Sequence, residues 1–327
     1  FIAFGIGYLL LFGMLLLMAI VYFAVSGSLN QVDPQTSSIE RLDPYALGNS
    51  VDPNLFGNSS LHHPNRTTLL PGAYPVCGSS WKNLHILDFA FLSLVAYKLD
   101  INVVRADLAS YFQNTEFDFD LLYLSQTQRG SYFFHIRDSA SNISVIGIRG
   151  TSSIRDALED LDLWSEITVL QGISFFVPLI HIWPTVTTSV VVQIANALEP
   201  KIKNLYYNPI IDYIDNHVNA TDNIVLTGHS LGGGVANIVG ALRNLPSYAF
   251  EPPGQVFGHM KFGYSLPDTQ GATSVVSTSD PVPSIDKQAG LVQTIECKQT
   301  SLFSCHSLSR AYCEMARRCY GVPCIEI

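Results

Sequence analysis

The sequence predicts an α/β fold with an N-terminal transmembrane helix, and three observations carry that prediction. The apolar, β-branched run Ile224, Val225, Leu226 reads as a buried strand that stops at a glycine-flanked serine and continues as an amphipathic helix. Two further strand patterns, at 132–136 and 143–148, are separated by a polar turn at 138–142. Residues 1–25 contain no charged side chain, a length of about 37 Å if helical, which exceeds a hydrocarbon core of about 30 Å.

In chain order, the apolar N-terminal stretch reads as a membrane span and residues 26–76 as a stalk rich in Ser, Asn, Pro and Gly. Residues 77–327 follow as the folded domain. The first cation after the span is Arg41, so its C-terminal flank lacks the Lys/Arg excess of a cytoplasmic loop, and the body is expected in a lumen or outside the cell. Four N-x-[ST] sequons, at Asn58, Asn65, Asn142 and Asn219, and six cysteines, Cys77, Cys297, Cys305, Cys313, Cys319 and Cys324, suit the same oxidising side. The formal charge of -9 and the lack of any basic cluster exclude nucleic acid as a partner. His62 and His63 have no acidic or Cys neighbour at ligand spacing and read as exposed loop histidines.

Leu84, Leu87, Phe91, Leu94 and Val95 fall at helical spacing, and residues 103–112 continue as a second helix. His135, on the first of the two strands, reads as a packed histidine. Residues 167–198 hold no Asp, Glu, Lys or Arg but are interrupted by Pro178 and Pro184, which excludes a spanning helix. They read equally as core or as an acyl-binding or lipid-facing wall; His181 within them lacks an acid partner nearby. Helical spacing resumes over 185–218 with a break at Pro209.

Gly228-His229-Ser230-Leu231-Gly232 has the G-x-S-x-G pattern of a nucleophile elbow in the strand-turn-helix context that such a turn requires. Gly228 and Gly232 lack the Cβ atoms that would collide at so tight a turn. The helix that follows offers unpaired N–H groups, first of all that of Leu231, where an oxyanion would form. His229 must leave the turn on a different side from Ser230, which favours a packing role. Residues 272–277 form a strand ending at Asp280-Pro281-Val282-Pro283, where an aspartate fixed by prolines suits the orientation of an imidazole. His306 is the only histidine after Asp280 and completes the order Ser, acid, His.

Arg149-Gly150-Thr151-Ser152-Ser153-Ile154-Arg155-Asp156, with Leu158, Asp160 and Leu161 after it, resembles the class 3 lipases when taken together with G-H-S-L-G-G-G. The resemblance covers roughly residues 81–320 and implies an α/β-hydrolase fold and cleavage of lipid esters without metal or organic cofactor. It implies an oxyanion-hole role for Thr151 beside Leu231, a supporting role for Asp160 and, through the D-P-V-P pattern, the acid role of Asp280. Thr151 reads equally as a helix N-cap. Ala157 stands where the family has a lid tryptophan. The short interval from Asp280 to His306 and the Cys-rich tail look closer to the membrane-anchored, vacuolar autophagic branch.

Five cysteines crowd the C-terminal 31 residues around His306. The expectation is two local bridges bracing the histidine loop and one long bridge from Cys77, with zinc disfavoured because no C-x-x-C pair occurs. Membrane lipids are the expected substrate of a Ser230, His306, Asp280 triad. The rival readings are a catalytically silent subunit of the same fold and an esterase acting on soluble esters.

Overall fold

The computed structural model describes residues 69–125, 132–150, 207–298, 300 and 303–322. The stretches expected as membrane span and, for the most part, stalk, residues 151–206 with Thr151, Asp160 and the apolar segment 167–198, and Asn58, Asn65 and Cys324 lie outside the described residues. Among the described residues no helix is long and apolar enough to cross a membrane.

Two short strands, β1 (Ser80–Trp81) and β2 (Leu84–His85), open the body as an antiparallel pair and lead into α1 (Ile86–Val95). Every residue of α1 is buried, including Asp88 and Ser93, so this helix lies within the core and has no solvated face. Its polar side chains are accordingly all bonded. Asp88 accepts from the backbone of His85 at 2.8 Å and from the Tyr111 hydroxyl at 3.1 Å. Ser93 and Thr227 pair their hydroxyls at 2.8 Å. Helix α2 (Ile101–Phe112) is capped by Asp100, whose side chain accepts from the N–H groups of Asn102 and Val103. Tyr111 of α2 stacks on Phe91 of α1 with ring centroids 3.8 Å apart.

The main sheet has seven strands in sequence order: β3 (Phe119–Leu124), β4 (Phe133–Asp138), β5 (Ile143–Ile148), β6 (Asn223–His229), β7 (Ser247–Phe250), β8 (Ala272–Ser277) and β9 (Leu291–Ile295). The first three run antiparallel to one another; from β5 onward all pairs are parallel. Parallel strands are covered on both faces, which is why β5 is buried throughout and reads as a nearly unbroken apolar run. On one face lie α1 and then α6 (Leu308–Tyr320), which supplies Leu308, Ala311, Tyr312, Met315, Ala316 and Cys319 to the same core as α1. Helix α4 (Leu231–Arg243) packs closely along β6 and β7 because it carries glycine and alanine where it meets them. A Cβ on Gly233 would sit 3.0 Å from the carbonyl oxygen of Gly228.

Two shorter helices, α3 (Asn208–His217) and α5 (His259–Phe262), complete the described body. Pro209, read from sequence as a break, lies in the first turn of α3, where its missing N–H costs nothing. The hydroxyl of Tyr213 on α3 donates to His135 Nδ1 at 3.1 Å, and His135 Nε2 donates to Ser144 at 3.1 Å. Ser144 in turn donates to Asp222, which forms a two-point ion pair with Arg137 at 2.7 and 3.0 Å. His135 is thus a bonded core histidine, pushed down to about 4 by burial.

A disulfide between Cys77 and Cys319 joins the start of this body to the end of α6, across a sequence separation of 242. A second bridge, Cys297 to Cys305, closes a separation of 8. Cys313 is also disulfide-bonded, and none of the described cysteines is free.

Candidate active site

Strand β6 leads directly into Ser230, whose backbone is forced to φ 57°, ψ -131°, before α4 begins at Leu231. This is a strained conformation for a residue with a Cβ, and the surroundings hold it. The Ser230 N–H donates to the carbonyl of Phe250 at the end of β7, 2.9 Å away. Gly228 and Gly232 allow the close approaches: a Cβ on Gly228 would lie 2.6 Å from the backbone of Gly232. One on Gly232 would lie 2.4 Å from the carbonyl oxygen of Ile148. Leu231, as first residue of α4, has an N–H without an acceptor in its own helix, at the positive end of the helix dipole.

His306 reaches this serine from the turn that the Cys297 to Cys305 disulfide ties down. Its Nε2 is 2.8 Å from Ser230 Oγ, and its Nδ1 is 2.7 Å from Asp280 Oδ2. Asp280 stands just past the end of β8, where its N–H donates to the carbonyl of Ser277 and its Oδ1 accepts from the Val282 N–H at 3.0 Å. The proline-rich turn thus fixes the carboxylate. Ser230 and His306 are 2 and 5 % exposed and the Asp280 side chain not at all, so the contact is largely shielded from water. With Asp280 accepting from Nδ1–H, Nε2 is left with a lone pair toward the hydroxyl, the tautomer needed to take its proton.

His229 makes its bonds elsewhere than to Ser230. Its Nε2 donates to the backbone carbonyl of His306 at 2.9 Å, and its Nδ1 accepts from the Tyr97 hydroxyl at 2.7 Å. Burial, with the neighbouring His306 imidazole adding to it, pushes His229 down to about 3, so the ring stays neutral. Tyr97 is also bonded to the backbone of Gly150, just past the end of β5, and Arg149 lies over the Tyr97 ring at 5.9 Å. One chain of bonds therefore runs from the residue preceding Thr151, through the serine turn, to the backbone of His306. The sequence predicts a packing histidine but not this link, because Tyr97 is 132 residues away and His306 is 77.

Glu251, the residue after β7, carries no signal in the sequence. It is fully buried, has φ 49°, and its carboxylate oxygens accept from the N–H and hydroxyl of Ser277 at 2.8 and 2.6 Å. Of the sequon residues, Asn142 and Asn219 are both exposed, the first in the turn between β4 and β5 and the second shortly before β6.

A mixed sheet whose strand β6 ends in a serine on a glycine-flanked turn before a helix has the architecture of the α/β-hydrolase fold. Residues 145–289 match the family model of the class 3 lipases. Ser230 and Asp280 fall inside the matched stretch, and His306 falls beyond it. Among curated relatives, the ATG15 protein of Kluyveromyces lactis, provisionally named a lipase, is 29% identical over 160 residues, covering 43% of this chain and 30% of that protein. Its counterpart in Vanderwaltozyma polyspora is 40% identical over 91 residues, 25% of this chain and 16% of the relative. The chain thus spans about a third or less of the length of these relatives. Similar solved structures include a lipase from Rhizopus microsporus var. chinensis, at 16% identity, TM-score 0.37, with 72% of this chain and 85% of that one covered. Another is the Lip2 lipase from Yarrowia lipolytica, at 15% identity, TM-score 0.35, with 65% and 77% covered.

Proposed function

We propose that the protein is a membrane-anchored serine lipase that cleaves carboxylic esters of lipids, with Ser230, His306 and Asp280 as its triad. The observation that carries this reading is the unbroken line from Ser230 Oγ through the His306 ring to Asp280, at 2.8 and 2.7 Å. Ser230 Oγ attacks the ester carbonyl carbon while its proton passes to His306 Nε2. Asp280 holds the Nδ1–H and stabilises the imidazolium that forms. The tetrahedral oxygen is met by the Leu231 N–H and, on the family resemblance, by Thr151. As the C–O bond to the alcohol breaks, His306 returns the proton to the leaving oxygen. Water then attacks the acyl-serine by the same route.

Anchoring rests on the charge-free residues 1–25, and the luminal or extracellular placement on the sequons together with the disulfides. The relatives named as lipases and the family match support a lipid ester as substrate. The test is labelling by a serine-directed fluorophosphonate, joined to lipid product analysis of wild type against Ser230→Ala. The expected result is labelling at Ser230 and free fatty acid released by wild type alone. A wild-type protein that neither labels nor releases acid would instead be a silent subunit, and one without preference for micelles over monomeric esters would be a soluble-ester esterase.

A further inference from the structure

The triad accounts for one buried carboxylate, yet two lie together beneath the serine turn. Glu251 has no solvent exposure, and its carboxyl neighbours that of Asp280, both acids being bonded to Ser277. The strands fix this pairing. Glu251 follows β7 directly, its N–H donates to the carbonyl of Val275 at 2.8 Å, and its two oxygens are held by Ser277 of β8. Ser277 also receives the Asp280 N–H on its carbonyl, so one serine of β8 sets the position of both acids.

Two carboxyl groups in contact in a dry site cannot both be ionised. Among the described residues no cation acts on Glu251, and burial together with the Asp280 charge pushes its carboxyl well above the usual range. Asp280 faces the His306 ring, the one group nearby that becomes positive during the proposed reaction, so the shared proton belongs on Glu251. We propose that Glu251 is a positioning residue that remains protonated and donates its O–H to Asp280, fixing the plane of the carboxylate that orients His306. The inference rests on the triad reading for its effect on rate, although the protonation of Glu251 stands apart from it.

The backbone supplies an independent argument. At φ 49° Glu251 occupies a region that glycine enters freely and other residues enter at a cost, yet a large ionisable side chain stands there. The carboxyl is therefore held despite its backbone, and Glu251→Gly would relieve the strain while deleting the carboxyl. Glu251→Gln keeps a neutral donor toward Asp280 and one of the two acceptors that Ser277 uses.

The experiment compares these two variants in full-length protein. Infrared difference spectra of wild type minus E251Q, at neutral pH, are expected to contain the C=O stretch of a protonated carboxylic acid. In steady-state hydrolysis E251Q is expected within about twofold of wild type. E251G is expected to lose about tenfold in kcat at unchanged KM, the loss of the bond to Asp280, and to melt lower than wild type because the buried N–H and hydroxyl of Ser277 lose their acceptors. A missing carboxylic-acid band, an E251Q as slow as E251G, or an E251G as fast as wild type would each overturn the proposal. A wild type that shows the band but hydrolyses no ester would retire the lipase reading and leave the protonated pair in place.

Discussion

The two located disulfides should separate stability from catalysis when removed one at a time. In the chain-entropy description a cross-link stabilises by restricting the unfolded chain, and the restriction grows with the loop it closes. The sequence separation of 242 for Cys77 to Cys319 corresponds to about 5.5 kcal/mol, and the separation of 8 for Cys297 to Cys305 to about 2.5 kcal/mol. In a body of this size that is a fall in melting temperature of about 10–20 °C for C77A/C319A and about 5–10 °C for C297A/C305A. Activity should rank the other way. Cys305 immediately precedes His306 and its bridge fixes the turn that brings the imidazole to 2.8 Å from Ser230. A displacement of the order of 1 Å there costs about 100-fold in turnover. The assays are thermal unfolding by circular dichroism and kcat on a short-chain ester well below the melting point of both variants. A larger fall in melting temperature for the local pair, or an unaltered kcat on its removal, would refute the reasoning.

Gly232→Ala places a methyl group 2.4 Å from the carbonyl oxygen of Ile148, a backbone atom that cannot step aside; expression should fall, and any folded fraction should lose fluorophosphonate labelling. Removal of Arg137 strands the Asp222 carboxylate, whose side chain has no exposure. R137A should therefore lower the urea midpoint clearly more than replacement of the exposed Arg243, paired with Asp215, which should cost under about 1 kcal/mol. His229 gives a pH dependence. Its folded value of about 3 lies below the unfolded value near 6.5, so between these limits the unfolded chain binds the extra proton. Stability from this group is whole above about pH 6.5 and is lost as pH falls, by up to about 1.4 kcal/mol per unit. H229F should flatten that slope in melts run from pH 7 to 4, and should lower kcat because the His306 carbonyl and the Tyr97 hydroxyl lose their partner.

Legibility in the sequence follows burial and the range of the interactions involved. Strands β5, β6 and β8 are readable because their apolar runs are dictated by cover on both faces. Helices α1 and α4 are readable from spacing and from the serine turn. Strand β7 gives no signal, being four residues between Pro246 and Glu251, and edge strands β3 and β9 leave Leu122, Leu291 and Val292 exposed, which blurs any inward-outward pattern. A long bridge from Cys77 is expected from sequence, but spacing alone does not choose its partner, Cys319, from five candidates. Ser230 and Asp280 stand out because each sits in a local pattern, and His306 because no other histidine follows Asp280; that their reacting atoms lie within 2.8 Å of one another along the line is a property of the sheet order. Glu251 has no such pattern, since only the juxtaposition of β7 with β8 gives it a neighbour.

Helix α1 is buried from end to end, and part of the surface that covers it belongs to α6, more than two hundred residues further along the chain. During synthesis α1 must therefore wait, partly uncovered, until α6 has left the ribosome. The imidazole arrives with that same closing segment. On the proposed function, a nascent chain brings serine and imidazole together only as this core is sealed.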